Sequence, residues 1–198
     1  APLYKDAIEL FSRSQSGYTP TLIVGYGGIW GENYFYQHYN VWENTRLLKF
    51  TPRENIDARS RRRMMVPEDD FGHFELAKTV KKVLDAGGHI QLGAHGQLQG
   101  LGAHWEVWMF SQGGMTPLQA IRAATFDGAK YLGLDSDIGS ISAGKLADLV
   151  VLDKNPLTDI HNTDSVSYVM KNGELFEANN MDKVWPTKES RKPFRWQR

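Results

Sequence analysis

The sequence contains no cysteine, so neither a disulfide framework nor a thiolate metal centre enters its chemistry, and its composition suits an exported or a cytoplasmic protein equally. Its 23 basic and 23 acidic residues cancel. That removes the electrostatic footprint of a nucleic-acid or anionic-membrane partner. No apolar run approaches the roughly 20 residues that a membrane-spanning helix needs. The start is not basic-then-apolar, so no signal peptide is read in this chain. Aromatic residues, in contrast, are plentiful: six Trp, eight Tyr and nine Phe make up 12% of 198 residues, crowded into a few stretches. A hydrophobic content of 41% with 23% charged residues is that of an ordinary globular protein, and the length suffices to bury a core.

Leu3, Ala7, Leu10 and Phe11 recur at helical spacing, with Gly17 as a stop. Tyr18-Thr-Pro-Thr-Leu-Ile-Val-Gly25 predicts a buried strand, and His89-Ile-Gln-Leu-Gly-Ala94 a second. Between them, residues 26–70 show no clean period. They carry Tyr26, Trp30, Tyr34, Phe35, Tyr36, Tyr39 and Trp42, then a basic cluster at Arg59, Arg61, Arg62 and Arg63; a loop this long is usually functional or mobile. Leu76, Ala77, Val80, Val83 and Leu84 form one helical face, with Asp69-Asp70 as cap candidates and Gly87-Gly88 at the end. Alternating helix and strand predict a parallel α/β sheet. Ala103–Gln112 reads as another helix, broken by Gly113-Gly114. Thr116-Pro117-Leu118-Gln119 is a capping box with proline at the first helical position. Val166–Phe176 is a hairpin turning on Asn172-Gly173. The stretch from Asn179 onward shows no period and predicts a loosely ordered end.

The most informative stretch is Ile138-Gly-Ser-Ile-Ser-Ala-Gly-Lys-Leu-Ala-Asp-Leu-Val-Val-Leu-Asp-Lys-Asn-Pro156. Physically it is a glycine-punctuated turn feeding a short apolar strand, Leu149–Leu152. It resembles the C-terminal signature of metal-dependent amidohydrolases of the imidazolonepropionase and prolidase kind. Gly114–Thr125, followed by Gly128-Ala129 and Leu132-Gly133-Leu134, resembles the last barrel helix of that family. The resemblance implies an α/β fold: the C-terminal part of a (β/α)8 barrel plus a small β-sandwich or hairpin segment. On that division, residues 1–134 hold barrel strands seven and eight with a 26–70 insertion, 135–178 the small β-domain segment, and 179–198 an extended tail. Gly93–Glu106 resembles the subgroup fused to a Tol-type β-propeller and exported, which implies a periplasmic location.

Family members hold one or two divalent metals through a His-x-His pair on the first strand, often a modified lysine, and histidines on two later strands. By order, Tyr18–Val24 matches the seventh strand and His89–Ala94 the eighth, so those ligands would lie upstream of Ala1. No His-x-His occurs in this sequence. The resemblance therefore implies a divalent metal, zinc foremost, liganded mostly outside this chain, and a chain inactive by itself. Where the wider family has Gly-Thr-Asp, this sequence has Gly93-Ala94-His95. An imidazole can ligate zinc or act as a base near neutral pH, but it cannot supply a carboxylate's charge beside a metal. His95 is the candidate catalytic and metal residue; the plainer alternative is a histidine satisfying backbone groups at a strand end.

Tyr26, His104 and Glu106 are candidate substrate-binding residues. On a helix, His104 and Glu106 sit about 200° apart, so only one of them can face a site; a surface histidine and a helix-start glutamate are the ordinary alternatives. His73 and His89 read as structural or solvated, Asp127 as surface, and Asp148 as an acceptor of turn N–H groups. The aromatic stretch 26–42 is either a lid over the barrel mouth or a packing surface against a missing half or another subunit. The arginine cluster is a solvated face or a contact for a substrate carboxylate.

Three functions follow. The first is a metal-dependent hydrolase of C–N bonds in cyclic amides or dipeptides, with a small-molecule substrate and the missing barrel half or a second copy as partner. The second is a catalytically dead remnant or binding scaffold on the same fold. The third is a self-contained binding module.

Overall fold

A computed structural model describes residues 4–25, 28–60 and 64–197. The first half runs α1 (Lys5–Ser14), β1 (Gly17–Tyr18), α2 (Glu32–His38), α3 (Thr45–Phe50), α4 (Arg53–Ser60), α5 (His73–Asp85) and β2 (His89–Ile90). The second runs α6 (Leu101–Gln112), α7 (Pro117–Ala123), α8 (Phe126–Tyr131), β3 (Leu149–Leu152), β4 (Val166–Lys171), β5 (Glu174–Glu177) and β6 (Lys183–Trp185). Among the described residues, no helix is long and apolar enough to cross a membrane.

β1 and β2 pair in parallel, Gly17 opposite His89 and Tyr18 opposite Ile90. The strand expected over Tyr18–Gly25 is thus cut short. Pro20 has no N–H to give a ladder, and Thr21 sits at φ 51°. Leu22–Val24 instead closes a 3₁₀ turn, all three side chains buried. α5 begins at His73 without a side-chain cap; Asp69 and Asp70 lie upstream in a 3₁₀ turn of their own. The apolar face read from the sequence is the one α5 buries, with Ala77, Val80 and Val83 inaccessible. α6 matches the predicted helix with two extra residues at its start.

The aromatic stretch folds inward. Phe35 on α2 stacks on Trp105 of α6 with ring centroids 4.7 Å apart and planes 6° from parallel, and both are buried. Tyr36 meets Trp105 edge-on at 5.7 Å. Each such pair contributes about 1 kcal/mol beyond its buried area, so α2 is tied to α6 by rings. Packing, rather than a mobile cover, is what most of these aromatics do.

α7 opens on its capping box as predicted: Gln119 N donates to Thr116 Oγ1 at 3.3 Å and Thr116 N to Gln119 Oε1 at 2.9 Å. The strands after it form an antiparallel sheet in the order β3-β4-β5-β6. Asn172 and Gly173 turn the hairpin with φ values of 50° and 81°, the two positive φ angles a type I′ turn needs. Asp148 accepts from Asn172 N at 2.6 Å and Lys171 Nζ at 2.5 Å. The lysine, more than the amide, holds its carboxyl below the usual range. The end of the chain is more ordered than its sequence predicted. Lys183–Trp185 adds the fourth strand, and Arg191 N donates to Asp182 Oδ1 at 2.7 Å to fold the following segment back.

Candidate active site

β2 leads directly into a turn with unusual backbone. His95, Gly96, Leu98 and Gly100 have φ values of 51°, 68°, 33° and 84°. Glycine takes this region freely, whereas His95 and Leu98 do not, and strain of this kind clusters at functional sites. His95 is exposed. Residues 96–99 of the turn form one wall of a cleft of about 880 Å³, with His95 beside the wall and outside the lining. Trp30, Glu32 and Asn33, on the chain leaving β1, form another, with Phe50–Pro52, Asn55, Met64 and Trp196 completing it. The cleft therefore lies beyond the exits of both parallel strands, where barrel enzymes place their sites.

Its polar groups are mostly amides. Asn33 Oδ1 accepts from Met64 N at 3.3 Å. Gln97 is 8% exposed and its Oε1 has no hydrogen-bond partner among the described residues. A buried acceptor left unmatched costs about 1–3 kcal/mol, so this carboxamide calls for a ligand or a water.

The residues predicted from sequence do not converge. Glu106 is fully buried in the core. Its carboxylate takes Leu22 N at 2.8 Å and Ile23 N at 3.0 Å, capping the 3₁₀ turn after β1. Burial pushes its pKa up to about 8 against the opposing pull of those two donors. Glu106 faces no cleft, and its oxygens are committed to backbone. His104, half-buried, lines a second, smaller cleft of about 220 Å³ with Arg46 and Asp164. Burial lowers its pKa, which Asp164 raises and Arg46 lowers further to a lesser extent. The 200° separation of His104 and Glu106 on one helix thus sends them to different places. Tyr26 and the arginines at 61–63 lie outside the described residues. His73 is a core residue, its Nε2 3.0 Å from Gln112 Oε1, and His89 Nε2 is 2.8 Å from Gln15 Oε1.

The cleft residues that sequence reasoning missed are Gln97, Asn33 and Trp196. Gln97 lies inside the Gly93–Glu106 stretch that carries the subgroup resemblance but has no role assigned by it, and Trp196 lies in a segment without period; of the lining residues, Trp30 alone stands out in the sequence. Among the described residues no group of three or more His, Asp or Glu could hold a metal ion. A lone imidazole does not make a centre, so the residues present do not by themselves fit the metal that the sequence resemblance implies.

Residues 78–176, half of the chain, match the amidohydrolase family. The chain belongs to that family. Among characterised amidohydrolases it is similar to ochratoxinase from Aspergillus niger, 33% identical over 121 residues that cover 59% of this chain and 25% of that protein. It is also similar to imidazolonepropionase from Parabacteroides distasonis, 44% identical over 66 residues covering 31% and 16%. Two solved structures superpose well. One is a Xaa-Pro dipeptidase with bound methionine, TM-score 0.58 and 26% identity over 88% of this chain and 38% of that one. The other is molinate hydrolase, TM-score 0.56 and 25% identity over 91% and 37%. The chain spans a quarter or less of these curated relatives and under two-fifths of the solved structures.

Proposed function

We propose that this amidohydrolase chain supplies the exit side of a barrel active site in a hydrolase of C–N bonds outside ordinary peptides, of the cyclic-amide or dipeptide type. The observation that carries this reading is the strained turn His95–Gly100, set at the exit of the parallel pair, whose residues 96–99 line the large cleft. The hydrolytic relatives support it as well. The substrate is a small molecule held in the cleft, and His95, next to the lining residue Gly96, moves the proton between water and the leaving nitrogen from the cleft's edge. A divalent metal, zinc foremost, belongs to this reading only if residues outside this chain hold most of it. The chain alone is then inactive.

The test is hydrolysis of N-acyl amino acids, dipeptides and cyclic amides by the whole polypeptide that carries this chain. His95→Ala should lower kcat/KM by about 10²–10⁴-fold, the usual range for a positioned proton-transfer group. It should leave the unfolding midpoint within error, because the side chain is exposed. Undiminished turnover in the variant would sink the role of His95.

A second reading, a scaffold that has kept the fold without the chemistry, draws on the β-sheet. Among the described residues β3 pairs only with β4, which leaves one of its edges open there. Val150 and Val151 are 60% and 43% exposed, and Val169 and Tyr168 opposite them 37% and 38%. An open apolar edge strand invites pairing. The 198-residue chain alone should associate, with a missing barrel half or a second copy, and Val150→Lys with Val151→Lys should reduce this. Light scattering that reports a monomer at tens of micromolar would count against it.

A further inference from the structure

We propose that the segment 186–197 belongs to the substrate site, with Trp196 and Trp30 gripping a planar aromatic ring whose amide is read by Gln97. The proposal deepens the hydrolase reading and rests on it for the chemistry, though not for the binding. Both tryptophans line the same cleft, and both keep about half their surface open, 48% for Trp196 and 46% for Trp30. Exposed indoles are unfavourable in water unless something stacks on them, and flat rings stack best.

Trp196 is held in place. Its ring stacks on Phe194 at 4.5 Å and 7° from parallel. The Arg191 guanidinium covers Phe194 at 4.1 Å, and Phe194 meets Phe50 edge-on at 6.2 Å. Gln197 clips the turn to α3, donating to Lys49 O at 3.0 Å and accepting from Phe194 N at 3.1 Å. This anchoring fixes an indole whose free face has no other use within the described residues. A wall of this rigidity costs a ligand little ordering.

The polar end of the ligand follows from Gln97. Gln97 lines the cleft, is more than nine-tenths buried, and its Oε1 has no hydrogen-bond partner among the described residues. A secondary amide, with one donor and one acceptor, matches it. No lysine, arginine or histidine is found among the described lining residues, and Glu32 is an acid there, so these residues disfavour an anionic ring end. The chemical class is therefore an aryl amide, of a size that a cleft of about 880 Å³ accepts.

The experiment is a titration of the whole polypeptide with three probes, followed by saturation-transfer NMR and isothermal calorimetry. The probes are N-methyl-2-naphthamide, its N,N-dimethyl derivative, and the saturated N-methyldecalin-2-carboxamide. The naphthamide should bind at least 5-fold tighter than either of the others. Trp196→Ala and Trp30→Ala should each weaken it about 5-fold, the scale of one stacking contact, without changing the decalin amide. Trp196→Phe should restore most of the loss, and Gln97→Leu should weaken the naphthamide while sparing the dimethyl amide. Equal binding of flat and saturated probes, no binding of any probe, or a Trp196→Ala variant that binds as before overturns the proposal. Binding as described without turnover would remove the hydrolase reading and leave this one. Turnover of aryl and alkyl amides alike, unaffected by Trp196→Ala, would do the reverse.

Discussion

Replacing Glu106 by alanine should cost about 4 kcal/mol of folding stability, read as a lower urea midpoint at pH 5.5. The side chain is inaccessible and each of its oxygens takes one backbone amide, from Leu22 and from Ile23. Truncation strands both donors in the core at about 1–3 kcal/mol each, and the vacated volume adds to the loss. For a domain held by about 5–15 kcal/mol, that is a large share. The damage should centre on the turn after β1, so exchange of the Leu22 and Ile23 amides should accelerate before global unfolding does. An unchanged midpoint would mean that water or another acceptor replaces the carboxylate.

Glutamine at the same position separates shape from charge. The folded pKa of Glu106, raised to about 8 from an ordinary 4.5, gives the sign. Below pH 4.5 both the folded and the unfolded chain hold the proton, and the group's stabilisation is complete. As pH rises toward 8 the unfolded chain releases its proton while the folded chain retains it, and stability falls. The ceiling is roughly 5 kcal/mol. Glu106→Gln has no proton to lose, so the advantage of the wild type over it should shrink steadily from pH 5 to pH 8. His73 acts on the other flank. Burial holds its pKa at about 4, against an ordinary 6.5, so stability falls as pH drops from 6.5 towards 4. Both proteins carry His73, and the difference between them cancels it.

Sequence pattern reached the parts of this molecule that local chemistry decides. The capping box at Thr116–Gln119, the Asn172-Gly173 turn and the buried face of α5 each rest on neighbours within a few residues, and each is present in the structure. The strand predicted over Tyr18–Gly25 ends early in the structure, where Glu106, more than eighty positions away, takes the Leu22 and Ile23 amides that a ladder would have used. The described part of the stretch 26–70 has no single period because it breaks into short helices, and only a few side chains of each are buried anchors, Phe35 and Tyr36 on α2 among them. The candidate site suffered most. Its position at the strand exits was legible through His95 and the family motif. Gln97 and Trp196 are brought together only by tertiary folding, and nothing in their local sequence announces it.

Gly102→Ala should destabilise the protein by about 2 kcal/mol and at the same time disturb the cleft. In a helix the change from glycine to alanine normally gains about 1 kcal/mol, so the expected sign needs a larger opposing effect. Packing provides one: a Cβ at Gly102 would lie 1.9 Å from Gln97 O, a backbone atom that cannot swing aside as a side chain end could. Gly102 N also donates to Leu98 O at 2.8 Å, so the helix start and the turn are locked together. Relief requires moving the 97–100 backbone, at about 3 kcal/mol for overpacking of this severity. The same turn carries Gln97 into the cleft, so affinity for an aryl amide should fall with stability. Gly128→Ala is the control. Its Cβ would meet only Ala123 O, at 3.4 Å, and the helix-propensity gain should survive as a stabilisation of about 0.5–1 kcal/mol. Thermal unfolding of the two variants side by side decides the matter: if Gly102→Ala melts at or above the wild-type temperature, the turn has room to yield and is not the rigid wall that the cleft requires.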